Sequence, residues 1–199
     1  LERPLLCGER HCRPIAGFDL GNSPGEYTVE RIGGRSLLFT TTNGTLAVAA
    51  CQDFGTCLLA GLVNRTAVAQ AIMAAGVSRC SIVCAGTDGQ VALEDVLAAG
   101  AIVAALVEAQ ASNVEVRLAN DSARLALDAW QPMANASSKA AIELIIGYFR
   151  QAAGGRNLVE QGYAADLDFA AQVDPISTIG RLDHELTRQF GCQTFTSQR

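Results

Sequence analysis

Ser36-Leu37-Leu38-Phe39-Thr40-Thr41-Thr42-Asn43-Gly44-Thr45, followed at once by Leu46-Ala47-Val48-Ala49-Ala50, is the stretch on which the reading of the fold turns. Leu37-Leu38-Phe39 is a short apolar run of the length and flanking that suit a buried strand. Three threonines, an asparagine, a glycine and a fourth threonine come next, and the Ala-rich run after them has good helix propensity. Strand, hydroxyl-rich glycine turn, helix: this order presents backbone N–H groups and hydroxyls to an anion. The turn therefore reads as a holder of phosphate or a similar oxyanion.

Working outward, the same unit recurs. Leu5-Leu6-Cys7 reads as the end of a buried strand followed by polar Gly8-Glu9-Arg10. A loop from His11 to Gly25 leads to Ser23-Pro24, an N-cap with proline at the first helical position, and a short helix to about Arg31 that stops at Gly33-Gly34. Thr56 to Ala60 is another short strand. Asn64 caps a helix over about 65–75, closed by Gly76. Ser81-Ile82-Val83-Cys84-Ala85 reads as a third internal strand with its own glycine turn, Gly86-Thr87-Asp88-Gly89. A long helix over about 93–110 follows, with Glu94 and Asp95 in its first turn. The alternation predicts α/β, a three-layer α/β/α arrangement on a largely parallel or mixed sheet.

The second half is helix-rich: about 120–130 with Pro132 as its stop, 137–151 ending at Gly154-Gly155, and two short pieces around Gly162 within 156–171. The tail carries weak signals for a strand over 176–179 and a helix over 183–190. Without a linker or repeat, the 199 residues read as a single domain.

Composition narrows the partners. Hydrophobic residues make 49% and charged residues 18%, the balance of a folded globular chain. A net charge of −5 argues against a nucleic-acid partner, and no apolar run approaches the roughly 18 to 20 residues that span a bilayer. The opening Leu1-Glu2-Arg3-Pro4 lacks the features of a signal peptide and reads as cut from something longer. Seven scattered cysteines, mostly in apolar surroundings, read as reduced core residues in a cytoplasmic protein. With only His11 and His184 beside them and no Cys-x-x-Cys, they do not suggest zinc. Oligomeric state is left open, a homo-oligomer included.

Polar residues gather where strands end: Glu9 and Arg10, Thr40 to Thr45, Thr87 and Asp88. In an open parallel sheet those ends form the ligand face, although such turns are polar and glycine-rich in any case. Arg10 is a candidate fork for sulfonate, phosphate or carboxylate, or else the partner in an ordinary salt bridge. Glu94 and Asp95 suit a divalent cation, Mg²⁺ above all, because Mg²⁺ needs few protein ligands. The helix dipole favours carboxylates there too. Two phosphatase signatures are set aside. Cys7 to Arg13 has Cys-x5-Arg spacing, but Glu9 would put negative charge in the cradle and Pro14 removes a donor just after it. Asp166-Leu167-Asp168 has no apolar strand before it and reads as a solvated helix face. Neither a Walker lysine nor a Gly-x-Ser-x-Gly elbow is present.

Gly8-Glu9-Arg10, Gly17-Phe18-Asp19-Leu20-Gly21-Asn22-Ser23-Pro24 with Glu26-Tyr27, Thr40-Thr41-Thr42-Asn43-Gly44-Thr45, and Ala85-Gly86-Thr87 with Glu94-Asp95 stand in that order. In this the chain resembles the 2-phosphosulfolactate phosphatase (ComB) family, specifically to about Gly100 and more loosely beyond. The resemblance implies an α/β/α, Mg²⁺-dependent acid phosphatase that converts 2-phospho-3-sulfolactate to 3-sulfolactate on the route to coenzyme M. On that basis Glu9, Arg10, Asp19 and Asn43 are the expected catalytic residues. Asn22, Ser23, Thr40, Thr41, Thr42, Gly44, Thr45 and Thr87 are expected to bind the small anionic substrate, with Glu94 and Asp95 on the metal. Asp19 and Asn22 have an equally good reading as loop ties. The family normally begins with a further strand and helix carrying an Ile-Asp-x-x-Arg-Ala-type motif, and nothing before Leu1 corresponds to it. The alternatives are the same chemistry on another small phosphorylated hydroxy acid, or an inactive anion-binding protein.

Overall fold

The computed structural model describes residues 3–110 and 115–198. Strand β1 (Leu5–Arg10) continues through the polar residues at which the sequence reading ended it, and turns back through His11 and Cys12 into the two-residue strand β2 (Arg13–Pro14). The segment opened by Ser23-Pro24 divides into a single 3-10 turn (Pro24–Glu26) and one turn of helix, α1 (Val29–Ile32). Strand β3 (Leu37–Thr40) lies parallel to β1, and the turn after it delivers α2 (Gly44–Cys51). Strand β4 (Leu58–Leu59), a 3-10 turn (Leu62–Asn64) and α3 (Arg65–Ala74) follow.

The long helix α4 (Leu93–Glu108) and α5 (Asp121–Ala134) form the centre. Around them come α6 (Ser138–Gln151), α7 (Ala153–Glu160), α8 (Ala164–Ala170), β5 (Ile179–Leu182), α9 (His184–Phe190) and β6 (Phe195–Gln198). The class is α/β with a helix-rich second half. Its strands form two small sheets, a mixed one ordered β2-β1-β3 and an antiparallel one ordered β4-β5-β6. Among the described residues no helix is long and apolar enough to cross a membrane.

Several expectations need correction. Leu37, Leu38 and Phe39 form the expected strand but are exposed, because β3 is the outer strand of a three-stranded sheet. Ser81–Ala85 is exposed and belongs to neither sheet, since strand propensity does nothing without a neighbour to complete the ladder. Helix α5 runs through Pro132 to Ala134: the proline falls in the last turn, and buried Trp130 and Met133 hold that turn against the core. Gly154-Gly155 does not stop α6 but opens α7. The tail strand is displaced to 179–182. Of the cysteines, only Cys7 is buried, while Cys80, Cys84 and Cys192 are exposed.

Helix α4 decides the packing. After Asp95 it is apolar all round, as a helix buried on every side must be. Leu97, Ala101 and Ala104 meet Trp130 and Met133 of α5 and Ile145 and Phe149 of α6. On its other side Ile102, Ala105 and Leu106 pack on Ala69 of α3. A clasp ties α3 to the chain beyond α8. Asp174 accepts the Thr66 N–H at 2.8 Å, the Thr66 hydroxyl at 2.7 Å and Arg65 Nε at 3.0 Å. Asp174, rather than Asn64, thus serves the first turn of α3, while Asn64 is spent on Gly61, Leu59 and Thr178. The Arg65 guanidinium also lies 5.6 Å from the centre of the Trp130 ring, close enough for a cation–π contribution.

Close approach of α4 and α5 requires Gly100. A Cβ there would stand 2.0 Å from the Ala126 carbonyl oxygen and 3.0 Å from Trp130 Cβ. Gly100→Ala is expected to cost about 3 kcal/mol, the upper range for overpacking against immovable backbone. Gly147→Ala in α6, where a Cβ meets nothing within 4 Å, is expected to add roughly 0.5–1 kcal/mol through helix propensity. Urea unfolding of the two variants beside the unaltered protein checks both signs.

Candidate active site

The Thr40–Thr45 turn binds an anion, and that anion belongs to the protein. Glu9, at the end of β1, sends its carboxylate into the turn. Oε1 accepts the Thr42 N–H at 2.6 Å, and Oε2 accepts the Thr42 hydroxyl at 3.0 Å and the Cys12 N–H at 2.8 Å. Thr42 Oγ1 in turn accepts the His11 N–H at 3.0 Å. His11 and Cys12 form the two-residue turn between β1 and β2, both at positive φ (50° and 59°). The Glu9 carboxylate therefore pins a strained hairpin to the threonine turn.

Thr41 and Thr45 close the start of α2 on themselves. Thr41 Oγ1 accepts the Thr45 N–H at 3.0 Å, and the Thr45 hydroxyl donates to the Thr41 carbonyl at 3.0 Å. Asn43 and Gly44 face the cavity with backbone N–H groups that take no part in these exchanges. Asn43 Oδ1 accepts the Asp88 N–H at 3.4 Å, which joins this turn to the Gly86–Gly89 turn.

The second wall comes from the start of α4. Asp95 Oδ2 accepts the Gly86 N–H at 2.6 Å, leaving its other oxygen outside that bond. Glu94 Oε2 is buried without a hydrogen-bond partner among the described residues. Burial, and to a smaller extent the neighbouring Asp95 charge, pushes the Glu94 carboxyl above its ordinary value. Helix α7 closes over it at Gly154, where a Cβ would stand 2.3 Å from Glu94 Oε1 and 3.4 Å from the Thr87 hydroxyl. The third wall joins the Ser23 loop to α8, the Ser23 hydroxyl donating to Asp166 Oδ1 at 2.6 Å.

Together these walls enclose a cavity of about 770 Å³. It gathers Glu9, Asn22, Ser23, Thr41, Thr42, Asn43, Gly44, Thr87, Glu94 and Asp95 of the residues expected from the sequence. Arg10, Asp19, Thr40 and Thr45 do not line it. Arg10 donates to the Thr40 hydroxyl at 2.6 Å and to the Glu9 carbonyl at 2.8 Å. Asp19 ties its loop to β1, accepting the Leu6 N–H at 2.8 Å and the Arg3 guanidinium at 2.7 Å. Those two donors, the backbone N–H first, hold its carboxyl below the usual range.

The sequence reading missed His11, Cys12, Glu160, Gln161, Tyr163 and Asp166, all in the lining, while Asp88, which it grouped with Thr87 at a strand end, lines the cavity too. Asp166 is no solvated helix face, since its carboxylate faces Ser23. Burial first, then Glu9 and Asp88, pushes the Cys12 thiol up, away from thiolate chemistry. Among the described residues the charge of the lining has one sign: Glu9, Asp88, Glu94, Asp95, Glu160 and Asp166 line the cavity, and no Lys or Arg does.

Comparison with known proteins places the chain in a family. A family profile described as 2-phosphosulpholactate phosphatase matches residues 1–185. A Deinococcus radiodurans protein named "Probable 2-phosphosulfolactate phosphatase" is 41% identical over 85% of this chain and 65% of its own length. Proteins of the same name from Synechococcus sp. (strain RCC307) and Caldanaerobacter subterraneus subsp. tengcongensis are 36% and 34% identical, each over 92% of this chain. The matched part is 71% and 70% of those two relatives, so the chain spans about two thirds of the length of the relatives it matches. With nearly its whole length inside the profile, the chain belongs to the 2-phosphosulpholactate phosphatase family.

Proposed function

We propose that this chain carries the site of a phosphatase that hydrolyses 2-phospho-3-sulfolactate to 3-sulfolactate and phosphate, a step of coenzyme M biosynthesis in the cytoplasm. Family membership supports the reaction. The observation that carries the site assignment is the convergence of the Asn43-Gly44 turn and the Glu94-Asp95 helix start on one acidic cavity. Such a lining repels a polyanionic ester by Coulomb's law unless a cation comes between them.

The donor set fits Mg²⁺. Glu94 presents a buried oxygen without a partner, and Asp95 has one oxygen outside its bond to Gly86. Among the described residues no group of three or more His, Cys, Asp or Glu side chains is placed to hold a metal. Mg²⁺ does not need one, because it keeps several waters and takes one or two carboxylates together with phosphate oxygens. When bound, it supplies the positive charge that the phosphate requires in an acidic lining.

The chain's own groups do the rest. Asn43 and Gly44 offer backbone N–H donors to the phosphate oxygens, and Thr87 offers a hydroxyl beside Glu94. Glu9 orders the turn and is no free base, since both its oxygens are already accepting hydrogen bonds. Water supplies the oxygen that bonds to phosphorus; the P–O ester bond breaks, its electron pair stays on the alcohol oxygen, and that oxygen takes up a proton. Positioning and charge neutralisation are what this reaction chiefly asks of a protein. Because no Arg or Lys among the described residues lines the cavity to fork a sulfonate, the same chemistry on another small phosphorylated hydroxy acid is the second reading.

Phosphate release from 2-phosphosulfolactate is expected to require Mg²⁺, to stop on addition of EDTA and to return with excess Mg²⁺. Turnover that ignores the chelator would remove the metal from the proposal, and equal kcat/KM on 2-phospholactate would favour the second reading.

Glu94→Gln separates function from stability. A carboxyl whose folded pKa is raised binds its proton more tightly in the folded state, so it detracts from stability as pH rises from the ordinary glutamate value through the raised one. In metal-free buffer at neutral pH the Gln variant is therefore expected to melt higher than the unaltered protein and to lose Mg²⁺-dependent turnover. Melting curves at pH 5 and pH 7.5 check this, the gain being larger at the higher pH.

A further inference from the structure

Beside the acidic cavity lies a smaller hollow of the opposite character. Arg150, in the last turn of α6, and Arg156, in α7, line a pocket of about 260 Å³ with Val159, Glu160 and Ala164. Glu160 also lines the large cavity, so the two hollows share a wall. Among the described residues the Arg150 side chain makes no hydrogen bond or ion pair, and the Arg156 side chain donates one bond, to the Gln151 carbonyl. Neither is ion-paired with Glu160. Two guanidinium groups with unspent donors thus line a hollow whose other walls are the apolar Val159 and Ala164 and the Glu160 side chain.

We propose that this pocket is an oxyanion site that takes a sulfonate, sulfate or phosphate group. A guanidinium presents planar paired N–H donors that match such oxygens, which an ammonium cannot do. The position gives the site a use. Among the described residues the lining of the large cavity has neither Arg nor Lys, and this pair of cations adjoins it across Glu160. The anion has two sources, the distal acid group of a doubly anionic phosphate ester or a free anion acting on the enzyme. Only the first source rests on the phosphatase reading.

The test begins with binding alone. Protein labelled with ¹⁵N is titrated with sodium methanesulfonate and with sodium sulfate, sodium chloride holding ionic strength constant, and the arginine Nε–H signals are followed. Saturable shifts at Arg150 and Arg156 are expected. They are expected to weaken at least about fivefold in Arg150→Ala and in Arg156→Lys, in keeping with the loss of one charge-assisted hydrogen bond. Unchanged amide spectra elsewhere show that both variants are folded. Non-saturating shifts, or the same affinity in both variants, overturn the site.

Kinetics then distinguish the sources. Arg150→Ala raises KM for 2-phosphosulfolactate and leaves KM for ethyl phosphate unchanged if the pocket receives the substrate's second anion. It leaves both values unchanged and abolishes the effect of added sulfate on rate if the anion is free. Absence of turnover on every ester would defeat the phosphatase reading, while the titration would still decide the pocket.

Discussion

The close crossing of α4 and α5 at Gly100 is the constraint on which the rest of the structure depends. One side chain atom at that position would collide with the Ala126 carbonyl, so the two helices could not share their apolar faces. Because they do, the small residues of α4 admit α3 on one side and α5 and α6 on the other. Burial of Leu97 and Ile145, each worth about 1.5–3 kcal/mol against exposure, follows from that approach. So does the position of the first turn of α4. A helix held along its whole length has no freedom to withdraw its N-terminus, and Glu94 is kept in a place where its buried Oε2 lacks a partner among the described residues. The core thus sustains an unfavourable carboxyl at the cavity wall.

A second constraint acts on the facing wall. The threonine turn is anion-friendly, as its composition suggests, but Glu9 occupies Thr42 and Thr41 occupies Thr45. What remains for an outside anion is narrower: the N–H groups of Asn43 and Gly44 at the start of α2. This changes the meaning of the threonines. Thr41, Thr42 and Thr45 fix the shape of the turn, and the proposed substrate-facing role falls to Asn43 and Gly44, which line the cavity. The same carboxylate holds the His11-Cys12 hairpin in its left-handed conformation, so one group sets the geometry of two adjoining segments.

Much of this was legible in the sequence where the physics is local. The strand-turn-helix over Leu37–Cys51, the helix over Arg65–Ala74 and the acidic first turn of α4 follow from propensity and spacing within a few residues, whereas the group that serves the first turn of α3 is the distant Asp174 and not Asn64. Failures came where a distant partner decides. Glu9 to Thr42 spans 33 residues and Ser23 to Asp166 spans 143, so neither bond leaves a local trace, and Asp166 was indistinguishable from a solvated helix face. Ser81–Ala85 has the residues of a strand, but a strand exists only with a neighbour in register. Pro132 breaks an isolated helix, yet buried Trp130 and Met133 outweigh one lost backbone bond in a last turn.

The placement of charge completes the account. Carboxylates from four separate places in the chain (Glu9, Asp88, Glu94 with Asp95, and Glu160 with Asp166) line one cavity, while the guanidinium of Arg10, at the end of a lining strand, turns to Thr40 and the Glu9 carbonyl. Folding alone gives no reason to gather like charges, since each added carboxylate raises the cost of ionising its neighbours. A cation held by the lining would remove that cost and would supply the positive charge that a phosphate needs there. On the proposed reading, then, the acidic lining and an anionic substrate would not conflict, because Glu94 and Asp95 would hold the cation that the phosphate meets.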